Sequence, residues 1–396
     1  MMKTLLSKRC STTAATGAAG LILALGCSCG GKGGTNVDAE VAIVPEANIV
    51  ISVDARGMQE APIYRTLEAL GNEEETAAAV PIEKLMKMQS LAQEKLGLTE
   101  DDVTRVLFSA DLSNVDFDAP ASLHPSSINM AVAVALAKPV ALADLRSYLE
   151  TQAKEDGEDV TFEEAEHKGT TLLYVEQGTP DAAPVRLGIA VQNKGRLVLA
   201  GTPDGLTGAL DRADAKGSGA KNDAIARTRH QMPADAQFYL AFVPTERMMT
   251  KLREQAARRT EMAENSQGGN PMMAQSLQSA TGMKSAGLSI MMDETLDLMA
   301  LLAMASSEDA AQLKTVADTM LVGYLKMGMM QLSGGKGMPM ADTLELVQDN
   351  SELTMKVSIS EEDLNTAFGG LKQMFMQRMQ PRSMPPPPPP SAPEAP

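Results

Sequence analysis

The chain has 396 residues, enough for two domains of ordinary size, and 44 % of them are apolar, so a sizeable core can form. Its formal charge of −16 excludes nucleic-acid binding through a basic patch and adhesion of the folded body to anionic lipid. Aromatic residues are only 3 %, with no Trp, so the core must be built from Ala, Leu, Val and 28 Met, a side chain that fills irregular gaps.

Residues 1–26 read as a signal peptide. Lys3, Lys8 and Arg9 form a basic start, an apolar stretch runs through Ala14, Ala15, Ala18 and Ala19 into Leu21–Leu25, and small Gly26 precedes Cys27. The apolar run is too short and too interrupted by glycine for a spanning helix, which needs about 20 apolar residues. Leu23-Ala24-Leu25-Gly26-Cys27 is similar to the lipobox of bacterial lipoproteins, with the Leu and small residue permuted at Ala24 and Leu25. Cleavage between Gly26 and Cys27 and acylation of Cys27 are therefore expected. Cleavage removes three basic residues and no acidic one, taking the charge from −16 to −19, so membrane attachment has to be covalent. Ser28 after the cysteine points to the outer membrane rather than the inner, with the body facing the periplasm. The three cysteines, Cys10, Cys27 and Cys29, all lie in the first 29 residues. The body therefore has no disulfide, thiolate metal site or cysteine nucleophile.

Residues 27–43 read as the anchor and a Gly-rich tether, with a root-mean-square reach of roughly 20 Å over residues 28–40. Strands are expected at 49–53, 103–111, 128–137, 159–164, 170–176, 186–192 and 195–201, from β-branched runs and alternation. Helices are expected at 62–70, 81–96, 140–154 and from Pro203 onward. Asn193-Lys194-Gly195 has the composition of a hairpin turn. Residues 215–231 are small, polar and basic, and read as a linker. The chain then restarts: MPADAQFYLAF at 232–242 parallels VPEANIVISV at 44–53. Helix 244–262, strands at 288–292 and 296–304, helix 308–332, strands at 343–348 and 352–359 and helix 361–379 follow. Ser306 and Ser360 stand as helix caps. The organisation expected is thus 1–26 signal peptide, 27–43 anchor and tether, 44–214 first repeat, 215–231 linker, 232–379 second repeat and 380–396 a proline-rich tail. The fold class is α+β: two related β-α-β-β-α-β repeats with largely antiparallel sheets and helices packed on one face.

Catalytic and metal signatures are sparse. His124, His167 and His230 are far apart and not at metal-ligand spacing. No GxSxG elbow is present, and a dispersed Ser-His-Asp triad is invisible to sequence. Ser333-Gly-Gly-Lys336 matches SxxK, but its two glycines do not suit a helix start and its companion motifs are missing. Gly217-Ser-Gly-Ala-Lys221 lacks the full phosphate-loop pattern, and Asp111, Asp116 and Asp118 lack EF-hand spacing. Thioether clusters such as Met338/Met340 and Met374/Met376/Met379/Met384 have the softness for Cu(I). Core filling accounts for Met291, Met292, Met299 and Met304. No catalytic residue, metal or cofactor is assigned.

PEANIVISVD at 45–54, with its echo PADAQFYLAF at 233–242, resembles the strand-helix opening of duplicated exported lipoproteins of planctomycetes and verrucomicrobia. The resemblance covers residues 44–378. It implies an envelope lipoprotein whose body is a duplicated domain, and it implies no catalytic residues. The expected function is a non-catalytic envelope lipoprotein, a binding or structural module held to the membrane by its N-terminal lipid and meeting an envelope protein or ligand. Two other readings stay open: an envelope hydrolase with its site between the repeats, and a carrier of lipid or lipoprotein.

Overall fold

The computed structural model describes residues 39–73, 90–115, 128–155, 160–177, 185–215, 222–265, 277–323, 327–328, 330 and 339–379. The signal peptide with Gly26 and Cys27, the tether to residue 38, residues 81–89 of the helix expected at 81–96, and the proline-rich tail lie outside them.

The strands are β1 Ile49–Val53, β2 Val103–Asp111, β3 Asn129–Leu136, β4 Phe162–His167, β5 Thr170–Gln177, β6 Val185–Gln192, β7 Leu197–Gly201, β8 Phe238–Phe242, β9 Met283–Met292, β10 Leu296–Met304, β11 Glu345–Asp349 and β12 Glu352–Ile359. The helices are α1 Ala55–Glu60, α2 Pro62–Glu73, α3 Leu142–Glu155, α4 Pro203–Ala215, α5 Asp223–Gln231, α6 Glu246–Asn265, α7 Ser307–Val316, α8 Met340–Thr343 and α9 Glu361–Met379. Local chemistry sets most boundaries. Ser306 Oγ accepts from the Asp309 amide at 3.0 Å to start α7. At α9 the box is reciprocal: Ser360 Oγ accepts from the Asp363 amide at 3.1 Å, and the Asp363 carboxylate accepts from the Ser360 amide at 3.1 Å. Asn193, Lys194 and Gly195 all take positive φ to turn β6 into β7, and Lys168-Gly169 does the same between β4 and β5. The helix expected at 308–332 is α-helical through Val316, continues in wider π-type turns to Val322, and is α-helical again at the described residues 323, 327–328 and 330.

All twelve strands join one sheet in the order β11-β12-β10-β9-β8-β1-β2-β3-β7-β6-β5-β4, and every pairing is antiparallel. At its centre β1 pairs with β8, with Ile51 opposite Leu240. The two halves of the sequence therefore share one sheet rather than building two. The stretch expected as a linker is also structural: from Asp223 it is helix α5, capped by Asn222, with Ile225 0 % and Thr228 1 % exposed.

Helices cover both faces, not one as expected. On the first face, Val50, Leu107, Ala131, Ala133, Ala135 and Leu199 pack against α4, α5 and the short 3₁₀ turn Ala39–Ala42. On the second, Val106, Val132, Val134, Ile189 and Val198 meet Leu145 and Tyr148 of α3 together with Leu91 and Ala92. Farther along the second face, α2 and α9 enclose Met292, and α7 covers Met304 and Leu353. The cause is visible in β3, whose sequence Met130–Leu136 is apolar at every position, the signature of a strand buried on both sides. Its alanines point to the first face and its valines to the second.

Asp102, 5 % exposed, closes the turn before β2. Its carboxylate accepts from the Thr99 amide at 2.8 Å, the Thr99 hydroxyl at 3.0 Å and Lys138 Nζ at 2.9 Å. Burial pushes this carboxyl up, but Thr99 and Lys138 together more than reverse that and hold it below its ordinary value. A lowered folded-state value gives stability that is whole above the ordinary carboxylate range and is lost as pH falls through the folded-state value. Asp102→Ala is expected to cost about 2 kcal/mol at pH 7 in urea unfolding. The gap from wild type should begin to close only below the ordinary carboxylate range.

Candidate functional site

The described chain opens on a segment fixed in the core. Residues 39–43, expected as the end of the tether, are interior: Ala39, Ala42 and Ile43 are 0 % exposed. Two arginines clamp this entry. Arg229 of α5 forms an ion pair with Glu40 and lies over the Tyr239 ring, 5.3 Å from its centroid. Arg212 of α4 donates its Nε–H to the Val41 carbonyl at 2.7 Å. Beneath them Ser109 of β2, fully buried, donates to the Ala42 carbonyl at 2.6 Å and accepts from the Val44 amide at 2.9 Å. One hydroxyl so pairs two backbone groups that would otherwise be orphaned in the apolar layer.

A second polar cluster lies at the far end of the first flank. His167, last in β4, meets Asp211 of α4 at 2.6 Å, and Lys168 Nζ meets the same carboxylate oxygen at 2.8 Å. Lys168 and then His167 hold the Asp211 carboxyl below its ordinary value. Thr170, opposite His167 in the hairpin, has its hydroxyl engaged by Gln192 Nε2 at 2.7 Å. Among the described residues no serine or threonine hydroxyl bonds the imidazole. The cluster is a part-exposed histidine–aspartate contact whose carboxylate oxygen is shared with a lysine. The two members are 44 residues apart, so no local pattern could have flagged them.

Nearby, an open depression of about 700 Å³ lies between the two hairpin turns and the start of α3, with Asp144, Thr170, Gln192 and Lys194 on its walls. It is shallow, and apolar residues such as Val140, Leu142 and Val191 line it alongside the polar ones.

Of the residues singled out from sequence, His230 stands exposed at the end of α5, far in sequence and fold from the His167 pair. Met292 and Met304 are core, at 8 % and 2 % exposure, while Met262 and Met327 are exposed. His124, Asp116, Asp118, Gly217–Lys221, Ser333, Lys336 and Met338 lie outside the described residues. Among the described residues no group of three or more His, Cys, Asp or Glu could hold a metal ion, and no helix is long and apolar enough to cross a membrane. The chain matches no protein-family model, no curated protein and no solved structure.

Proposed function

We propose that the chain is a lipid-anchored, non-catalytic protein of the cell envelope, acylated at Cys27 after cleavage behind Gly26. Its body would act as a binding or structural module for an envelope protein or ligand, facing the periplasm, with the outer membrane as its site. The observation that carries the reading is the join between tether and body. The basic start, apolar run and Leu23–Cys27 are followed by a Gly-rich segment, and that segment feeds directly into Ala39–Ile43, which Arg229, Arg212 and Ser109 lock onto the central sheet. A load on the lipid would so reach the middle of the sheet rather than a loose arm. Two or three acyl chains, at about 0.8 kcal/mol per buried CH₂, anchor firmly without help from an acidic body.

The strand order supports a duplicated ancestry. Outward from the β1–β8 seam the order is β1-β2-β3-β7-β6 on one side and β8-β9-β10-β12-β11 on the other. In each flank three strands run in sequence, a helix-bearing connection follows, and a hairpin returns in reverse. The first flank adds the β4–β5 hairpin at its edge. A hydrolase with its site between the repeats draws no support from the His167–Asp211 pair, which sits at that outer edge and not at the seam.

The test is metabolic labelling with palmitate in cells making the native protein. Wild type should carry label and fractionate with membranes, and Cys27→Ala should lose the label and become soluble. Unchanged labelling and fractionation of Cys27→Ala would refute the reading.

A further inference from the structure

On the strands around the seam the two faces of the sheet differ in exposure. The first-face positions Val50, Ser52, Tyr239, Ala241 and Ser289 are all buried. The second-face positions that alternate with them carry apolar side chains, most of them large, and these are partly exposed. One row shows the contrast best. Phe108, Ile51, Leu240, Leu288, Ala300 and Met355 are successive register partners across β2, β1, β8, β9, β10 and β12, and all six are partly exposed. The rows on either side, from Ile49 to Leu353 and from Val53 to Val357, are apolar at every position as well.

On the first flank the same face is closed: Val132 and Val198 are buried against Leu145 and Tyr148 of α3, and Phe108 packs at the edge of that cluster. Beyond Phe108, among the described residues, Ile51, Leu240, Leu288, Ala300 and Met355 join none of the buried clusters. Packing resumes with Leu353 under α7 and Met292 between α2 and α9. The seam is thus an apolar trough between two packed walls. Six strands spaced about 4.8 Å apart make it about 24 Å across. An acyl chain spans about 15 Å in one leaflet, half the hydrocarbon thickness of a bilayer.

The three rows from β1 to β12 carry no charged or hydrogen-bonding side chain, in a chain where 22 % of residues are charged. The strand backbones are bonded to one another. A protein docked there would leave its own polar groups unmatched, since protein interfaces carry about one hydrogen bond per 100–200 Å². An acyl chain needs none, and an uncharged floor complements it. The segment that leads back to Cys27 joins the body at Ala39–Ala42 on the opposite face, so the sheet stands between that join and the trough.

We propose that the second face of the sheet at the seam binds the acyl chain of a lipid that is separate from the chain's own anchor, with Ile51, Leu240 and Leu288 as the middle of its floor. This rests on the reading of the body as a binding module and names its ligand class. It does not require Cys27 to be acylated.

The sequence has no Trp, so a single introduced one reports on its own surroundings. The test uses the full-length chain with Cys27→Ala, which carries no lipid of its own, so its outcome does not depend on the acylation of wild type. Phe242→Trp places the reporter on the second face of β8, in the row that starts at Ile49. Val347→Trp places it on the first face of the edge strand β11, where Val347 is 52 % exposed. Dibrominated stearate, added below its micelle concentration, should quench the Phe242→Trp emission saturably and leave the Val347→Trp emission unchanged. Leu240→Gln should weaken that binding by about tenfold, because it sets an amide into an apolar site. Should Leu240→Gln lower the melting temperature, the two Trp reporters decide alone. Absence of saturable quenching of Phe242→Trp overturns the proposal. Equal quenching at both positions marks adsorption to the surface only and overturns it too. If Phe242→Trp with Cys27 intact is acylated and ignores the probe while the Cys27→Ala form responds, the trough holds the chain's own anchor, which also overturns it.

Discussion

Gly205→Ala is expected to destabilise the protein by about 3 kcal/mol, although alanine is the better helix former by about 1 kcal/mol. Gly205 lies in the first turn of α4, where that helix crosses β3. A Cβ there would stand 2.1 Å from the Met130 carbonyl oxygen and 2.8 Å from its carbon. The neighbour is backbone in the interior of the sheet, so nothing flexible can give way. Gly201 at the end of β7 presses on the same oxygen, with a Cβ position 2.3 Å away. The close approach exists because β3 offers α4 only the methyl groups of Ala131, Ala133 and Ala135. Urea unfolding of the variant decides the sign: propensity alone predicts a gain, whereas the contact predicts a loss. A second alanine at Gly208, whose added Cβ would meet the Arg212 guanidinium at 3.0 Å and no backbone, should be milder.

Leu107→Ala is expected to cost about 3 kcal/mol, in the middle of the range for a buried leucine. Leu107 is 0 % exposed on β2 and packs in the cluster that holds the entering segment, Val50, Ala133 and Ala241. That cluster draws on β1 and β8 together, so it belongs to both halves of the chain. The loss should therefore appear in one cooperative transition reported alike by probes placed in either half. Separate transitions, with only the first half shifted, would mean that the seam does not couple them.

The elements were largely legible because their signals are local. Strand 103–111 and strand 352–359 fall where alternation put them, and the Ser306 and Ser360 caps and the Asn193-Lys194-Gly195 turn act as their residue types require. What was not legible is non-local. β1 and β8 pair across nearly 190 residues, and neither sequence names its partner. Helix α5 reads as a linker because it buries little more than Ile225 and Thr228 and is otherwise polar. Residues 39–43 read as tether because their small apolar side chains carry no periodicity. The coverage of both faces could have been drawn from Met130–Leu136, where seven consecutive apolar residues leave no polar side for water. The polar clusters could not: His167 with Asp211, and Arg229 with Glu40 and Tyr239, are assembled only by the fold.

The central claim is that this body is held to a membrane through the lipid on Cys27. Mass spectrometry of the N-terminal peptide from the protein purified out of native membranes tests it most directly. The account predicts a chain that starts at Cys27 and carries a diacylglyceryl group on its sulfur. A mature chain that starts elsewhere, or an unmodified Cys27, would contradict it.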